Sequence, residues 1–180
     1  MNGNPLFQYL KELCVFLDNA GIEYMLVGGL AVGIWGEPRA TVDIDFLVSF
    51  KLNDFAVLNR MINKSNAFVF IHDKPMTFDR ISLLRATLKS NLDVFVDFLF
   101  ANDDFQKEAL SRRQAVNITD LAVNIPTPED LILLKLISGR EQDLLDAKKV
   151  FSMQRKNLDM VYMQRWSEKL QVKLPITESR

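Results

Sequence analysis

Apolar residues near the N-terminus recur at helical spacing, which is one of two hydrophobic patterns in the chain. They run from Leu6 to Leu17, Pro5 suits the first helical turn, and Gly21 provides a stop. The spacing predicts an amphipathic first helix.

The second pattern consists of short apolar runs rich in β-branched residues. Ile22–Val27 predicts a buried strand, Leu30–Trp35 a short helix, and Thr41–Val48 a second strand. Together with the elements that follow, this order predicts a mixed β-sheet flanked by helices, an α/β (α+β) fold. The later elements are a helix over 53–65, strands at 67–71, 81–86 and 92–99, a helix capped by Asp103 that runs to about 113, and a hairpin over 115–125.

The last part of the chain has a helical pattern. Thr127 followed by Pro128 and two acidic residues predicts a helix start, and Gly139 marks the end of that helix. Two further helices are predicted over 141–153 and 159–172. We therefore predict an α/β core over residues 1–125 and a C-terminal helical portion over 126–180 that packs on it.

Composition restricts the class of protein. Of the 180 residues, 48% are hydrophobic and 25% are charged, with 7 Gly and 6 Pro, which favours a globular protein and excludes collagenous and low-complexity ones. The formal net charge of −1 creates no global field toward nucleic acid or anionic membranes. A charged partner must therefore be recognised locally.

Cysteine usage and the N-terminal segment indicate a compartment. The single Cys14 cannot form an internal disulfide, and with the single His72 it cannot build a usual zinc site. The first residues lack the basic segment of a signal peptide, and no apolar run approaches the ~20 residues that span a bilayer. We expect a cytoplasmic protein with no membrane role.

Two glycines and two aspartates carry the candidate chemistry. Gly28 and Gly29 stand between a predicted strand and a predicted helix, where helix N-terminal amides can bind phosphate. Asp43 and Asp45 lie two apart on the next predicted strand, so their carboxylates should share one face. A divalent cation would neutralise such a pair, and oxygen ligands favour Mg²⁺ or Mn²⁺.

A later strand offers candidates for a third carboxylate. Asp93 and Asp97 lie four apart in LDVFVDFL, on the face opposite its alternating apolar residues. A phosphate-binding turn combined with metal-binding carboxylates predicts phosphoryl or nucleotidyl transfer.

The segment VGGLAVGIWGEPRATVDIDFLV, residues 27–48, resembles the signature of the DNA polymerase β-like nucleotidyltransferase superfamily. That signature has an apolar residue, Gly, Gly or Ser, a spacer, two acids separated by one apolar residue, and a third acid on a later strand. Within the superfamily, GEPRATVDID and EDLILLKLISGREQDLLDAKKVF resemble small prokaryotic members related to the AbiE-type toxins.

The resemblance implies a fold and a set of site residues. The fold is that of a nucleotidyltransferase, in which Asp43 and Asp45, with Asp97 as third carboxylate, hold Mg²⁺ or Mn²⁺, and Asp97 helps to deprotonate an acceptor hydroxyl. Asp97 is preferred over Asp93 because VDFL is the better match to the signature. The implied nucleotide-binding residues are Gly28, Gly29, Arg39, Thr41 and Lys135.

Several of these residues have a second interpretation. Arg39 fits a surface ion pair equally well. Lys135 lies in mid-helix among leucines, where it either extends to solvent or meets an anion. Asp143 and Asp146 match a later motif of the toxins, but with Arg140 they also fit an ion-paired helix start.

We therefore expect a Mg²⁺-dependent enzyme that transfers a nucleoside monophosphate from a nucleoside triphosphate to a hydroxyl acceptor and releases pyrophosphate. A tRNA, a protein and a small molecule such as an aminoglycoside or a lincosamide are all open as acceptors. The alternative is a non-catalytic nucleotide-binding or toxin–antitoxin-type interaction module.

Overall fold

A computed structural model describes residues 5–50, 55–65, 68–72, 74–78 and 81–176. Its helices are α1 Pro5–Asn19, α2 Gly28–Trp35, α3 Phe55–Ser65, α4 Asp104–Ser111, α5 Pro128–Ser138, α6 Glu141–Gln154 and α7 Met160–Leu170. Its strands are β1 Tyr24–Val27, β2 Ile44–Val48, β3 Phe68–Phe70, β4 Met76–Phe78, β5 Ile81–Leu88, β6 Asn91–Phe100, β7 Gln114–Ile118 and β8 Leu121–Ile125.

The main sheet is mixed, which confirms the predicted fold class. Its order is β1-β2-β6-β5-β3, with β4 paired to the outer part of β5. Strands β2 and β6 run parallel, and the other pairs are antiparallel. Strands β7 and β8 form the predicted hairpin, in which Thr119 adopts a positive φ of 55° at the turn.

Alternation along the central strands separates two apolar layers. Ile44, Phe46 and Phe98 pack into a core with α1, α3 and the β7–β8 hairpin. Leu47 lies on the opposite face, in a second core built with α2, α4 and the C-terminal helices. Asp45 and Asp97 alternate with the first-core residues and therefore lie on the second face, where the helices flank them.

Strand β2 is shorter than predicted, which corrects the placement of Thr41 and Asp43. The strand begins at Ile44, so both residues precede it, and Val42 is 64% exposed rather than in the core. The physical reason is the lack of a partner, because β1 ends at Val27, opposite Asp45, and the pairing with β6 begins at Ile44.

Other element boundaries differ by a few residues. Strand β1 begins at Tyr24, and α2 begins at Gly28, so the two glycines form its first turn instead of preceding it. Strand β4 was not predicted, because its three residues MTF are too few to show a period. The predicted starts of a helix at 53 and a strand at 67 lie outside the described residues.

The C-terminal helices begin and end at the predicted signals. The Thr127 side chain accepts a hydrogen bond from the amide of Asp130, and Gly139 ends α5 with a φ of 64°. Asp103 and Gln106 form a capping box on α4.

The division into residues 1–125 and 126–180 stays a prediction. In the described part of the chain, no helix is long and apolar enough to cross a membrane.

Candidate active site

The parallel pairing of β2 with β6 brings two predicted acids side by side. Asp45 and Asp97 are register partners, so neighbouring strands present their carboxylates on the same face. The two acidic strands are therefore neighbours in one sheet. Asp93 lies near the start of β6, where it is exposed.

Gly28 is required where the Asp45 carboxylate approaches the start of α2. A Cβ at this position would lie 1.8 Å from Oδ2 of Asp45, and the backbone has a positive φ of 66°. A side chain here would collide with the carboxylate and strain the backbone. The glycine therefore accommodates the protein's own acid, in addition to leaving the helix start open.

The N-terminus of α2 carries no side-chain cap, since Val27 stands at the capping position. The backbone amides of the first turn are thus oriented as an anion site would require. Beside them, Thr41 and Arg39 pack against Gly29, where a Cβ would lie 3.1 Å from Thr41 Oγ1 and 3.2 Å from Arg39 Cζ.

Asp43 is the acid with the least compensation. Its Oδ1 is buried and has no hydrogen-bond partner among the described residues. A buried carboxylate oxygen without a donor is costly unless something else, such as a cation, compensates it.

Asp97 is held by an arginine that the sequence did not reveal. Arg85 Nε lies 2.7 Å from Oδ1, and Arg85 Nη2 lies 2.6 Å from Oδ2, a bidentate pair in which both carboxylate oxygens accept. The hydrogen bond raises the pKa of the Arg85 guanidinium. The side chain of Arg85 also lies over the Phe95 ring at 5.4 Å.

Burial and neighbouring carboxylates perturb Asp45. Burial raises its pKa from 3.8 to about 6, the negative charges of Asp97 and Asp43 also raise it, and Lys135 and Arg140 oppose the rise. At neutral pH the ionised form is therefore held at a free-energy cost, which a bound cation would remove.

Lys135 lies on the helical side of the site and is buried. Its Nζ lies 2.5 Å from Asp143 Oδ1 and 3.4 Å from Asp146 Oδ2. The sequence left open whether Lys135 extends to solvent or meets an anion. In the structure it meets an anion, and that anion is a carboxylate of the protein itself. Arg39 also pairs with Asp146, at 3.1 Å from Nη2 to Oδ2. These contacts join α5 and α6 to the segment that precedes β2.

Asp143 is the centre of that network. It accepts hydrogen bonds from Lys135, from Ser138 at 2.5 Å and from Arg140 at 2.6 Å. Burial alone would raise its pKa, but these donors outweigh burial and the net pKa is lowered. Asp143 therefore stays ionised and neutralises the bases beside the site.

These groups surround one polar cleft of about 180 Å³, which we call the acidic cleft. It contains Gly29 and all the predicted charged site residues, while Gly28 lines a smaller neighbouring cavity with Asp45. Its lining residues are Gly29, Arg39, Thr41, Asp43, Asp45, Arg85, Asp97, Lys135, Arg140, Gln142 and Asp143.

Asp43 and Asp45 have the chemistry of a hard-cation site, with oxygen donors, an uncompensated buried oxygen and a raised pKa. Asp97 differs from these two acids, because both of its oxygens accept hydrogen bonds from Arg85. Among the residues that the structure describes, no group of three or more His, Cys, Asp or Glu side chains is arranged to hold a metal. The residues present fit a cation on two carboxylates.

Sequence reasoning missed Arg85 and the contribution of Arg140 to the cleft. Arg85 lies opposite Asp97 in the register that β5 and β6 share on one side of a bulge or similar irregularity between Thr87 and Leu88. Such an irregularity leaves no signal in the hydrophobic alternation. Arg140 was predicted only as part of a helix start.

Comparisons with known proteins report on the family and on the fold. The family described as "Nucleotidyltransferase of unknown function (DUF6036)" matches residues 4–179. No curated protein matches the chain in sequence.

Several solved structures share the fold at low identity. The antibiotic-resistance factor ANT(2'')-Ia has a TM-score of 0.61 at 13% identity, with 94% of each chain covered. An antigenic nucleotidyltransferase-like protein from Paracoccidioides brasiliensis has a TM-score of 0.54 at 17% identity, with 95% of this chain and 94% of that chain covered. The lincosamide antibiotic adenylyltransferase LnuA, with lincomycin bound, has a TM-score of 0.52 at 15% identity, with 83% of this chain and 97% of that chain covered.

Proposed function

Since the chain belongs to the DUF6036 family of nucleotidyltransferases, we propose that it transfers a nucleoside monophosphate from a Mg²⁺-bound nucleoside triphosphate to a hydroxyl acceptor. The observation that carries this proposal is the acidic cleft itself. Asp43, Asp45 and Asp97 come together beside the uncapped start of α2, and Asp43 Oδ1 is buried without a donor.

The metal would lie on Asp43 and Asp45. When bound, Mg²⁺ or Mn²⁺ neutralises phosphate charge and lowers the barrier to attack on phosphorus. It would also supply the counter-charge that Asp43 Oδ1 lacks and that the raised pKa of Asp45 indicates.

The nucleotide would be held by groups that line the cleft around the metal site. Backbone amides at Gly28 and Gly29 face the phosphates, as a helix N-terminus favours. Arg140 and Arg39 would contact the phosphates from their ion pairs with Asp143 and Asp146, and Lys135 would act through its pair with Asp143. Thr41 lies against Gly29 and orients that wall.

Asp97 would act on the acceptor. Its carboxylate accepts the proton of the acceptor hydroxyl, and the acceptor oxygen forms a bond to the α-phosphorus. The bond from that phosphorus to the bridging β-phosphate oxygen breaks, and pyrophosphate leaves. Each oxygen of Asp97 accepts one hydrogen bond from Arg85 and has a second lone pair, which the acceptor hydroxyl would use.

Calorimetry and transfer assays test the proposal on the same protein. We expect nucleoside triphosphate to bind much more tightly with Mg²⁺ than with EDTA, because the uncompensated carboxylates repel phosphate. Asp97→Asn should keep this binding and reduce transfer by roughly 10²-fold or more.

Asp93→Asn is the matched control, since Asp93 lies on the same strand but is exposed. It should leave both measurements unchanged. Equal nucleotide affinity in Mg²⁺ and EDTA would contradict the proposal. Loss of transfer in Asp93→Asn with normal transfer in Asp97→Asn would show that the wrong acid was assigned.

One observation favours a second candidate, a non-catalytic nucleotide-binding or toxin–antitoxin-type interaction module. The bidentate pair with Arg85 engages both oxygens of Asp97, as a purely structural ion pair would. If Asp97 serves only that pair, the protein binds Mg²⁺-nucleotide, but no RNA, protein or small molecule becomes labelled.

A further inference from the structure

A second cleft adjoins the acidic cleft at Asp97. It has a volume of about 540 Å³ and shares Asp45, Arg85, Asp97 and Arg140 with the acidic cleft. A molecule in it would therefore touch the carboxylate to which we assign proton transfer. We call it the apolar cleft, for the reason given next.

Apolar side chains make up half of its lining. Strands β4, β5 and β6 and the end of α5 contribute Met76, Phe78, Ile81, Leu83, Leu99 and Ile137. Phe78 is 59% exposed in the free protein. A large aromatic side chain left in water at the edge of a cleft favours a ligand that covers it.

Most of the charges that line the apolar cleft are already paired. Two carboxylates, Asp45 and Asp97, line it with two guanidiniums, Arg85 and Arg140, and with His72. Arg85 is held by Asp97, and Arg140 lies 2.6 Å from Asp143. Asp45 has no ion pair among the described residues, and it is the carboxylate that we assign to the metal. A polynucleotide needs a track of basic groups for its phosphates, and a polycation needs carboxylates that neither a base nor a metal has neutralised. The described lining offers neither.

We propose that the apolar cleft binds the acceptor, and that the acceptor is a small, uncharged molecule with an apolar body and a hydroxyl group. The inference rests on the proposed transfer reaction. The volume lies within the ~300–1,000 Å³ range of small-molecule sites, which have mainly apolar walls and a few polar groups. The hydroxyl lies at Asp97, and the apolar body covers Phe78 and Leu83.

Binding can be measured without any turnover, with the neutral fluorophore N-phenyl-1-naphthylamine as probe and the full chain in solution. We expect fluorescence enhancement with the wild type and at least about tenfold weaker affinity for Phe78→Ser, since burial of a Phe side chain contributes more than that factor requires. Met76→Ser changes a second lining residue and should also weaken the affinity for the probe.

Val69→Ser is the matched control, because Val69 is an exposed apolar residue of the same sheet outside the cleft. It should bind the probe like the wild type. Both lining positions are at least partly exposed, and thermal melts check that the variants fold. Equal probe affinity in all four proteins would overturn the inference.

A labelling experiment then separates the acceptor classes. Wild type with Mg²⁺ and a mixture of α-phosphate-labelled nucleoside triphosphates is given three pools: solvent-extractable small molecules, total RNA and total protein. Tobramycin serves as a polycationic acceptor in parallel. We expect label in the extractable pool, reduced at least about tenfold by Phe78→Ser with Mg²⁺-nucleotide affinity unchanged.

Label in RNA, protein or tobramycin, with none in the extractable pool, would overturn the acceptor class and leave the transfer reaction standing. No label in any pool, with Mg²⁺-nucleotide binding intact, would overturn both. Loss of metal-dependent nucleotide binding would overturn the proposed function, while probe binding would still report on the apolar cleft by itself.

Discussion

Two regions of the molecule contain buried carboxylates. In one region the carboxylate has a full set of hydrogen-bond donors, and in the other a carboxylate oxygen has none. Asp130 at the start of α5 is fully buried, and its oxygens accept from Tyr162 at 2.6 Å, Thr127 at 2.8 Å and Arg112 at 3.0 Å. The Arg112 guanidinium also lies over the Tyr162 ring at 3.9 Å. We call this group the Asp130 network.

The acidic cleft has the opposite balance. Asp43 Oδ1 lacks a hydrogen-bond donor. The pKa of Asp45 is raised because the residue is buried and because two further carboxylates lie close to it. Like charges are placed together there, and the nearest bases are engaged by Asp97, Asp143 and Asp146.

The difference separates structural charge from functional charge. A buried carboxylate with a complete set of donors joins elements, as the Asp130 network joins α4, α5 and α7. Carboxylates that lack hydrogen-bond donors remain ionised only at a free-energy cost. Such a cost is typical of sites that a ligand completes. Four predictions test this comparison.

The largest effect is expected for Asp45→Asn. Removal of one metal-binding carboxylate should abolish the Mg²⁺-dependent part of nucleotide binding and reduce transfer by roughly 10³-fold. The same change should leave the melting temperature in EDTA at or above that of the wild type, because it relieves repulsion with Asp43 and Asp97. A large drop in melting temperature would place Asp45 among the structural charges.

Asp130→Asn should show the reverse behaviour. It breaks a buried network and turns an amide NH₂ toward donors, so we expect a loss of about 3 kcal/mol in the free energy of unfolding, measured by urea denaturation. Metal-dependent nucleotide affinity of the folded fraction should not change. Weakened nucleotide binding with normal stability would refute the separation between the two regions.

Gly28→Ala tests the contact between α2 and Asp45. A positive φ alone costs about 1–2 kcal/mol for a non-glycine residue, and here the new Cβ also meets Asp45 Oδ2. Gly21→Ala is the matched control, since Gly21 has a φ of 65° and nothing within 4 Å of its Cβ position. Gly21→Ala should lose stability by about the backbone cost, whereas Gly28→Ala should lose more than that cost and should also lose metal-dependent nucleotide binding.

If Gly21→Ala and Gly28→Ala retain equal nucleotide affinity, the fit of Gly28 against Asp45 does not organise the site. Calorimetry in Mg²⁺ and urea denaturation in EDTA provide the two measurements.

The smallest effect is the pH dependence of stability. A carboxyl whose pKa is raised from 3.8 to about 6 stabilises the folded state most below pH 3.8 and loses that contribution as the pH rises through about 6. Without metal, the wild type should lose at least about 1 kcal/mol relative to Asp45→Asn across this window, or roughly 2–4 °C in melting temperature. Parallel pH profiles of the two proteins would contradict the raised pKa, and Mg²⁺ should reduce the difference above pH 6.

Local patterns in the sequence were sufficient for most of the fold. Apolar periodicity and turn chemistry predicted the helices and nearly all strands, and Thr127 and Gly139 set the limits of α5 because caps act within a few residues. Gly29, Asp43, Asp45 and Asp97, which the sequence grouped together, line one cleft, and Gly28 lines the cavity beside it. Their roles in metal and nucleotide binding stay predictions.

Tertiary structure decided what depends on register and on partners distant in sequence. The register of β5 against β6 placed Arg85 on Asp97, and the early end of β1 left Asp43 outside β2 with an oxygen that has no donor. The apolar cleft is built from β4, β5, β6 and α5. No local sequence pattern predicts that these segments come together. Local sequence determines which face a residue occupies, because strand alternation has a period of two. Which residues meet across the sheet depends on packing of the whole chain.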